Sequence, residues 1–411
     1  MAIVKPFKCV RPAPELVDKV AALPYDVYNR EEATEAVKDN EVSFLRIDRA
    51  ETTLPDWVDT YDDKVYEHAK KLFEDRQADG TYIQDDEECY YVYELIMNGR
   101  HQTGITACCS IDDYIKNNIK KHENTVEAKE IDRIRHVDTL SAHTGPIFLA
   151  YRSNDTISAI VNKVKEGKCL YSFTCDDGIT HNVWKISDEN DISTIRSSFA
   201  KINSIYIADG HHRCASAVKA GLKRRAQNPD YTGKEEFNFF LAVLFPEDQL
   251  MIMPYNRVVR DLNDYTEEEF VNRISRDFDV IRTGGAFQPE EKSIIAMLIG
   301  EHWYRLEARE HIKAITDPVK SLDVAVLQKY ILEPVLGIKD PRKDKRIEFI
   351  GGIRGLKELE RRCHKDMKLA FAMHPTSIQE LFSVADADLL MPPKSTWFEP
   401  KLRSGIFIHK F

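Results

Sequence analysis

Apolar and polar positions change period several times along the chain, and each change marks a predicted element. The run DDKVYEHAKKLFEDRQADG sets Val65, Tyr66, Ala69, Leu72 and Phe73 at helical spacing and stops at Gly80, which predicts a helix with one buried face. LPYDVYNREEATEAVKDN predicts a turn at Pro24-Tyr25-Asp26 and then a helix that Asn29 can cap. In ECYYVYELIMNGRHQTGITACCSI, aromatic and β-branched residues flank Asn98-Gly99, the pattern of a tight hairpin.

A charged helix is expected from about Val126 to Thr139, with Asn124 and Glu127 spaced as a capping box. GPIFLAY, CLYSFTC, THNVWKI and SIYIA read as strands, DISTIRSSFAK as a helix, and Phe237 to Phe245 as a long apolar strand. In the last third, helices over 263–278, 322–335, 353–364 and 376–388 alternate with short strands such as RIEFIGG and LAFAMHP. The fold class is therefore α+β. No repeat or low-complexity linker marks a boundary, and the chain is expected to divide into an N-terminal α/β segment, 1–110, a central core, 111–260, and a C-terminal α/β domain, 261–411, whose tail is expected to return to the core.

Composition narrows the function. With 411 residues, 43% hydrophobic and 31% charged, the chain can build more than one core. A net charge of -10 gives no global field for nucleic acid or an anionic membrane, so any anion site has to be local. No segment approaches the roughly 20 apolar residues of a membrane span, and a cytoplasmic protein is expected. The eight cysteines form no CxxC pair, which points to reduced thiols rather than a zinc cluster.

The densest chemistry lies in IYIADGHHRCASAVKAG, residues 205–221. A strand ending in Asp-Gly and entering a helix leaves uncapped amide groups at the corner, where the helix dipole favours negative charge. Gly210 allows close backbone approach, and Arg213 offers a forked cationic donor to phosphate. His211 and His212 can move protons or hold an anion, and Asp209 can hold a metal or orient a histidine. A plain helix cap needs none of the two histidines and arginine.

Two further segments carry candidate partners. In KKHENTVEAKEIDRIRHVDTL, Lys129, Arg133 and His136 share one helix face, and Glu123 stands just ahead of the helix as a possible general base. In MPPKSTWFEPKLRSG, a stiff Pro392-Pro393 turn is followed by Lys394, Ser395 and Thr396, then Lys401 and Arg403, groups able to cover a bound phosphate. The glycine pairs at 284 and 351 complete no Walker or dinucleotide fingerprint, and Cys214 lies inside the helix after the histidines.

The strings PYDV at 24, SFLRI at 43, KKHENTVEAKEIDRIRHV at 120, GPIFL at 145, ADGHHR at 208, EFNFFLAVLFPEDQLMIMPYNRVVRDLN at 236 and MPPKSTWFEPKLRSG at 391 together resemble a prokaryotic family known as domain of unknown function 1015. The resemblance implies a ParB/sulfiredoxin-like nucleotide- and phosphate-binding core at 111–260, with large additional α/β segments and a long insertion at 152–203. It also implies kinship with free-serine kinases that carry a similar DGHHR loop.

By that resemblance the expected activity is that of a small-molecule kinase, a phosphotransferase acting on the hydroxyl of free L-serine with a nucleotide or pyrophosphate donor and Mg2+. The loop carries over to Asp209 as metal ligand, Gly210 and Arg213 as phosphate binders, and His211 and His212 as catalytic groups. Glu123 is assigned as the base, and Lys129, Arg133 and Lys394 as further phosphate or nucleotide contacts. The alternative is a ParB-like nucleotide-binding regulator without metabolite chemistry. The sequence does not define an oligomeric state.

Overall fold

A computed structural model describes residues 2–411, the side chain of Lys129 apart. The chain forms two compact units, one of Met1–Leu250 with Pro400–Phe411, the other of Met251–Glu399. Among the described residues, fourteen α-helices and several sheets make up a mixed α+β architecture. None of these helices is long and apolar enough to cross a membrane.

The first unit is organised by one nine-stranded sheet: β1 (Val4–Lys5), β2 (Tyr90–Met97), β3 (Arg100–Ser110), β4 (Ile119–Lys120), β5 (Ile147–Tyr151), β6 (Tyr171–Thr174), β7 (Thr180–Ile186), β8 (Ile205–Asp209) and β9 (Phe239–Pro246). Their order is β4-β8-β5-β9-β3-β2-β7-β6, with β1 beside β3. Strands from 1–110 and from 111–250 thus share one sheet, so the hydrogen-bonded backbone itself joins the first two segments expected from the sequence.

Asn98 and Gly99 both take positive φ, 52° and 76°, and close the β2–β3 hairpin with the right-handed twist the flanking strands need. The 152–203 insertion supplies β6 and β7, which extend the sheet at β2, and two helices, Asp155–Lys165 and Glu189–Phe199. Ile157, Ile195 and Phe199 from those helices pack with Val92, Ile105, Leu149 and Ile207 of the sheet in one buried core. A second core gathers Phe44, Leu45, Ala69, Phe73 and Tyr82 with Ile408 from the chain's end.

Three helices matter for the site: α1 (Asp63–Ala78), α2 (Glu127–Leu140) and α3 (His211–Gln227). The α3 helix buries Cys214, Ala215, Ala217, Val218 and Ala220, small residues that let it lie close to the sheet. At Gly221 a Cβ would stand 2.5 Å from the Phe237 carbonyl oxygen, so the approach there requires glycine.

The second unit has a six-stranded antiparallel sheet of β10 (Tyr255–Val259), β11 (Phe278–Arg282), β12 (Ile294–Ile299), β13 (His302–Ala308), β14 (Ile347–Gly351) and β15 (Leu369–Met373), ordered β11-β13-β12-β15-β10-β14. The helix expected over 263–278 is shorter, Glu267–Ile274, with a Thr266–Glu269 capping box fixing its start. That expected over 322–335 runs as a helix over Asp323–Leu327 and then widens into a π-turn over Gln328–Leu332.

Candidate functional site

The strand β8 ends in an irregularity. Its register against β5 shifts between Ile207 and Asp209, a bulge that re-aims the last side chain. Gly210 follows with φ +92°, a conformation that costs an L side chain dearly, and becomes the N-cap of α3 without a side chain to cap it. The first turn of α3 contains no acidic residue. The corner therefore presents uncapped amides and the positive end of a 17-residue helix.

Arg213 folds back over this corner. A Cβ on Gly210 would stand 3.2 Å from its Nε and Nη2, and Nη1 donates to the Pro146 carbonyl at 2.7 Å. Asp209 is engaged on both oxygens: Oδ1 accepts the Gly210 N–H at 2.8 Å and Oδ2 pairs with Lys401 at 2.8 Å. Burial alone would raise the Asp209 carboxyl, but Lys401, Arg213 and the Gly210 amide outweigh it and hold the group well below the usual carboxylate range. A lysine ammonium already occupies the place beside Asp209 that a cation would take. Among the described residues no cluster of three or more histidine, cysteine, aspartate or glutamate side chains could hold a metal ion. With Lys401 in that place, Asp209 does not fit the metal-ligand role expected of it, and no step below is routed through a metal.

The two histidines diverge. His211 turns inward, its ring edge-on to His122 with centroids 4.4 Å apart. Burial, reinforced by His122, holds His211 well below the ordinary histidine range, while Asp209 opposes. His122 is pushed down to about 4, chiefly by burial, with Asp209 and the Ile207 backbone opposing. Both rings stay neutral at pH 7, and His211 supports the corner from beneath.

His212 points the other way. Its Nε2 accepts the Val126 N–H at 2.9 Å. Val126 is the N-cap of α2, so the Asn124–Glu127 capping box expected from the sequence does not form. The amide that the box would have left to solvent is bound by a histidine from α3, and Thr125 turns its hydroxyl to Glu130. Glu130 also accepts from Lys219, and its carbonyl takes the Ser216 hydroxyl at 3.2 Å. The segment around His122 and half-buried Glu123 is thereby joined to the Asp209–Arg213 corner.

Beside this junction lies a cavity of about 230 Å³, lined by Tyr25, Asp48, Arg49, Glu51, Arg133 and His212 among others. Arg133 is buried, its guanidinium 3.9 Å from the Tyr25 ring centre, and it pairs with Asp132 at 2.9 Å and Asp48 at 3.4 Å. Burial would weaken its charge, but Asp132, Tyr25 and Asp48 outweigh that and hold the proton firmly. Arg49 holds Glu51 at 2.6 Å. Four carboxylates (Asp26, Asp48, Glu51, Asp132) and two guanidiniums (Arg49, Arg133) face this space, which suits a small zwitterion better than a polyanion.

Of the residues singled out from sequence, Asp209, Gly210, His211, His212, Arg213 and Arg133 gather around this corner and cavity, and Glu123 follows His122, whose backbone N–H meets His211. Lys129 belongs to α2, but its side chain lies outside the described residues. Lys394 belongs to the second unit, its ammonium 5.5 Å from the Tyr255 ring centre. Tyr25, Asp48, Arg49 and Glu51 had no assigned role, and Lys401, expected to cover a bound phosphate, pairs with Asp209 instead. The signal for the first four was present in PYDV and in the SFLRI string, which runs on into Asp48, Arg49 and Glu51.

The family model described as protein of unknown function (DUF1015) matches residues 4–325. The chain belongs to the DUF1015 family. No curated protein matches this DUF1015 member. Solved structures that resemble it include a free serine kinase in complex with AMP, at 16% identity and TM-score 0.37, covering 74% of this chain and 91% of that one. A conserved hypothetical protein from Pyrococcus furiosus matches at 14% identity and TM-score 0.35, covering 74% and 94%. SbnI with a C-terminal truncation, from Staphylococcus aureus, matches at 11% and 0.37, covering 72% and 82%.

Proposed function

We propose that this DUF1015 protein is a small-molecule phosphotransferase that moves a phosphoryl group from a nucleotide or other phosphoanhydride to the hydroxyl of free L-serine. The observation that carries the reading is the position of His212, which stands in the first turn of the uncapped helix α3 and also on the wall of the mixed-charge cavity. One side is suited to phosphate, the other to an amino acid. At about 230 Å³ the cavity is below the roughly 300 Å³ at which pockets for drug-sized ligands begin. It suits an acceptor of amino-acid size, with the donor lying outside it along the helix start.

In this reading the α3 amides and Arg213 hold the phosphates. The serine ammonium meets Asp48 and Glu51, and its carboxylate meets the Arg49 and Arg133 side. The serine oxygen attacks the terminal phosphorus, its proton passes to a carboxylate for which Glu123 is the first candidate, and the shortened donor leaves with the bridging electrons. Positioning and charge neutralisation are the main demands of such a transfer. The choice of serine rests on the likeness of the DGHHR loop to that of free-serine kinases.

The test is incubation of the purified protein with L-serine and ATP, ADP or pyrophosphate, read by phosphorus NMR. A phosphoserine resonance is expected with at least one donor, and its absence with all three overturns the reading. A ParB-like regulator would instead bind DNA with a steep salt dependence, against which the net charge of -10 counts.

A further inference from the structure

The second unit contains an arginine unlike the others. Four arginines among the described residues are buried: Arg11, Arg133, Arg257 and Arg403. Three pair with carboxylates, Arg11 with Asp85, Arg133 with Asp48 and Asp132, and Arg403 with Asp177. Arg257, on β10 and only 3% exposed, donates instead to the backbone carbonyls of Tyr255 and Lys394. Among the described residues no carboxylate pairs with it. Burial lowers its pKa to about 10, with Tyr255 opposing, so it remains charged at neutral pH. A buried, unneutralised guanidinium is costly unless something anionic meets it.

The guanidinium faces a pocket of about 380 Å³. Apolar walls come from Leu332, Phe349, Pro392 and Pro393, the last two from the Pro-Pro turn noted in the sequence. Lys339 stands exposed at the rim. The one carboxylate in the lining, Asp340, is held by Arg342 through two contacts at 2.9 and 3.0 Å. Leu332 closes the π-turn over Gln328–Leu332, an irregularity that recurs where helices shape binding sites. The arrangement is a cation at the base of an apolar slot.

We infer that this pocket is a binding site for a small oxyanion with a flat apolar body, a phosphate ester or a carboxylate, whose anionic end meets Arg257 and whose body lies against Phe349 and the Pro392-Pro393 turn. The guanidinium fork matches either oxyanion, and the rim lysine adds attraction. The site is independent of the proposed transfer at α3.

Calorimetric titration of the full chain tests it with phenyl phosphate, benzoate, and benzyl alcohol as the uncharged control. Saturable binding of phenyl phosphate or benzoate but not of benzyl alcohol is expected, and the tighter of the two anions identifies the oxyanion. Arg257→Met should weaken that binding at least about 30-fold, while Arg213→Met, at the corner of the first unit, should leave it unchanged. Without ligand, Arg257→Met should melt no lower than the wild type, because it removes an uncompensated charge. Should that variant fail to fold, Lys339→Glu at the exposed rim should weaken binding about 2- to 5-fold. Equal binding by wild type and Arg257→Met, loss of binding in Arg213→Met, or no saturation by either anion overturns the inference.

Discussion

The Lys401 ammonium lies 2.8 Å from the Asp209 carboxylate, although 192 positions separate the two residues. The C-terminal segment thus supplies the counter-charge for the strand-to-helix corner, and Asp209 can in turn hold the Gly210 amide. Lys401→Met should lower stability by about 1–3 kcal/mol, the cost of leaving a partly buried charged acceptor without its partner, and Asp209→Asn in the same background should recover part of it. A double-mutant cycle by urea denaturation measures the coupling. A cycle that sums to zero would show the pair to be incidental.

His212 links two helices by accepting the Val126 N–H at 2.9 Å. Val126 is 57% exposed, so water can replace the imidazole, and His212→Ala should cost no more than about 1 kcal/mol of stability. Phosphoserine formation should nevertheless fall by about 10²-fold or more, the range in which a positioned acid or base acts. Parallel losses in stability and turnover would instead give His212 a purely structural role.

Much of this site could be read from the sequence, because its chemistry is local. Asp209, Gly210 and the two histidines are consecutive, and the strand-then-helix pattern around them needs only periodicity to be seen. The Asn98-Gly99 hairpin and the Asn29 cap, which forms a full capping box with Glu32, were legible for the same reason. What escaped was set by tertiary contact. The Asn124–Glu127 box satisfies every sequence criterion, yet α2 begins at Glu127 because a histidine 86 positions later takes the Val126 amide. The opposite facing of His211 and His212 could not be read either, since adjacent residues in a first helical turn diverge according to what packs on each side. Arg257 gave no signal at all, because a missing counter-ion is a property of space.

Two carboxylates compete for the base. Glu123 follows His122 in the loop before α2, whereas Glu51 is 2% exposed on the cavity wall and held at 2.6 Å by Arg49. Glu123→Gln should abolish phosphoserine formation with KM for serine little changed if Glu123 takes the proton. Glu51→Gln should then chiefly raise KM, as a contact to the ammonium would. Steady-state kinetics on the two variants decides between them, and the reverse pattern would move the base to Glu51.

In the second unit Asp323 is buried, its two oxygens accepting the Ser293 N–H at 3.0 and 3.2 Å. Burial pushes its carboxyl up from 3.8 to about 7, with that amide opposing. The folded unit therefore keeps a proton that the unfolded chain has already lost. Its contribution is fully present below pH 3.8 and fades as pH rises towards 7, with a slope of up to about 1.4 kcal/mol per pH unit. Asp323→Asn keeps an acceptor for the amide and should flatten this decline. Denaturation of wild type and variant between pH 4 and 8 checks it, and parallel curves would refute it.

The His122–His211 pair works in the opposite sense. Burial lowers His122 from 6.5 to about 4 and holds His211 well below the ordinary histidine value, with His122 adding to the effect. In both cases the unfolded chain binds the proton more readily than the folded one. The stabilising contribution is whole above the ordinary histidine value and is lost as pH falls from 6.5 towards 4. His122→Phe preserves an edge-on ring against His211 and removes two deeply buried ring nitrogens. It should therefore be at least as stable as wild type at pH 7 and lose stability more slowly on acidification, by about 1.4 kcal/mol per pH unit at most. Urea midpoints followed from pH 7 down to pH 4.5 give the two slopes, and an unchanged slope would mean that His122 takes up its proton equally in the folded and the unfolded chain.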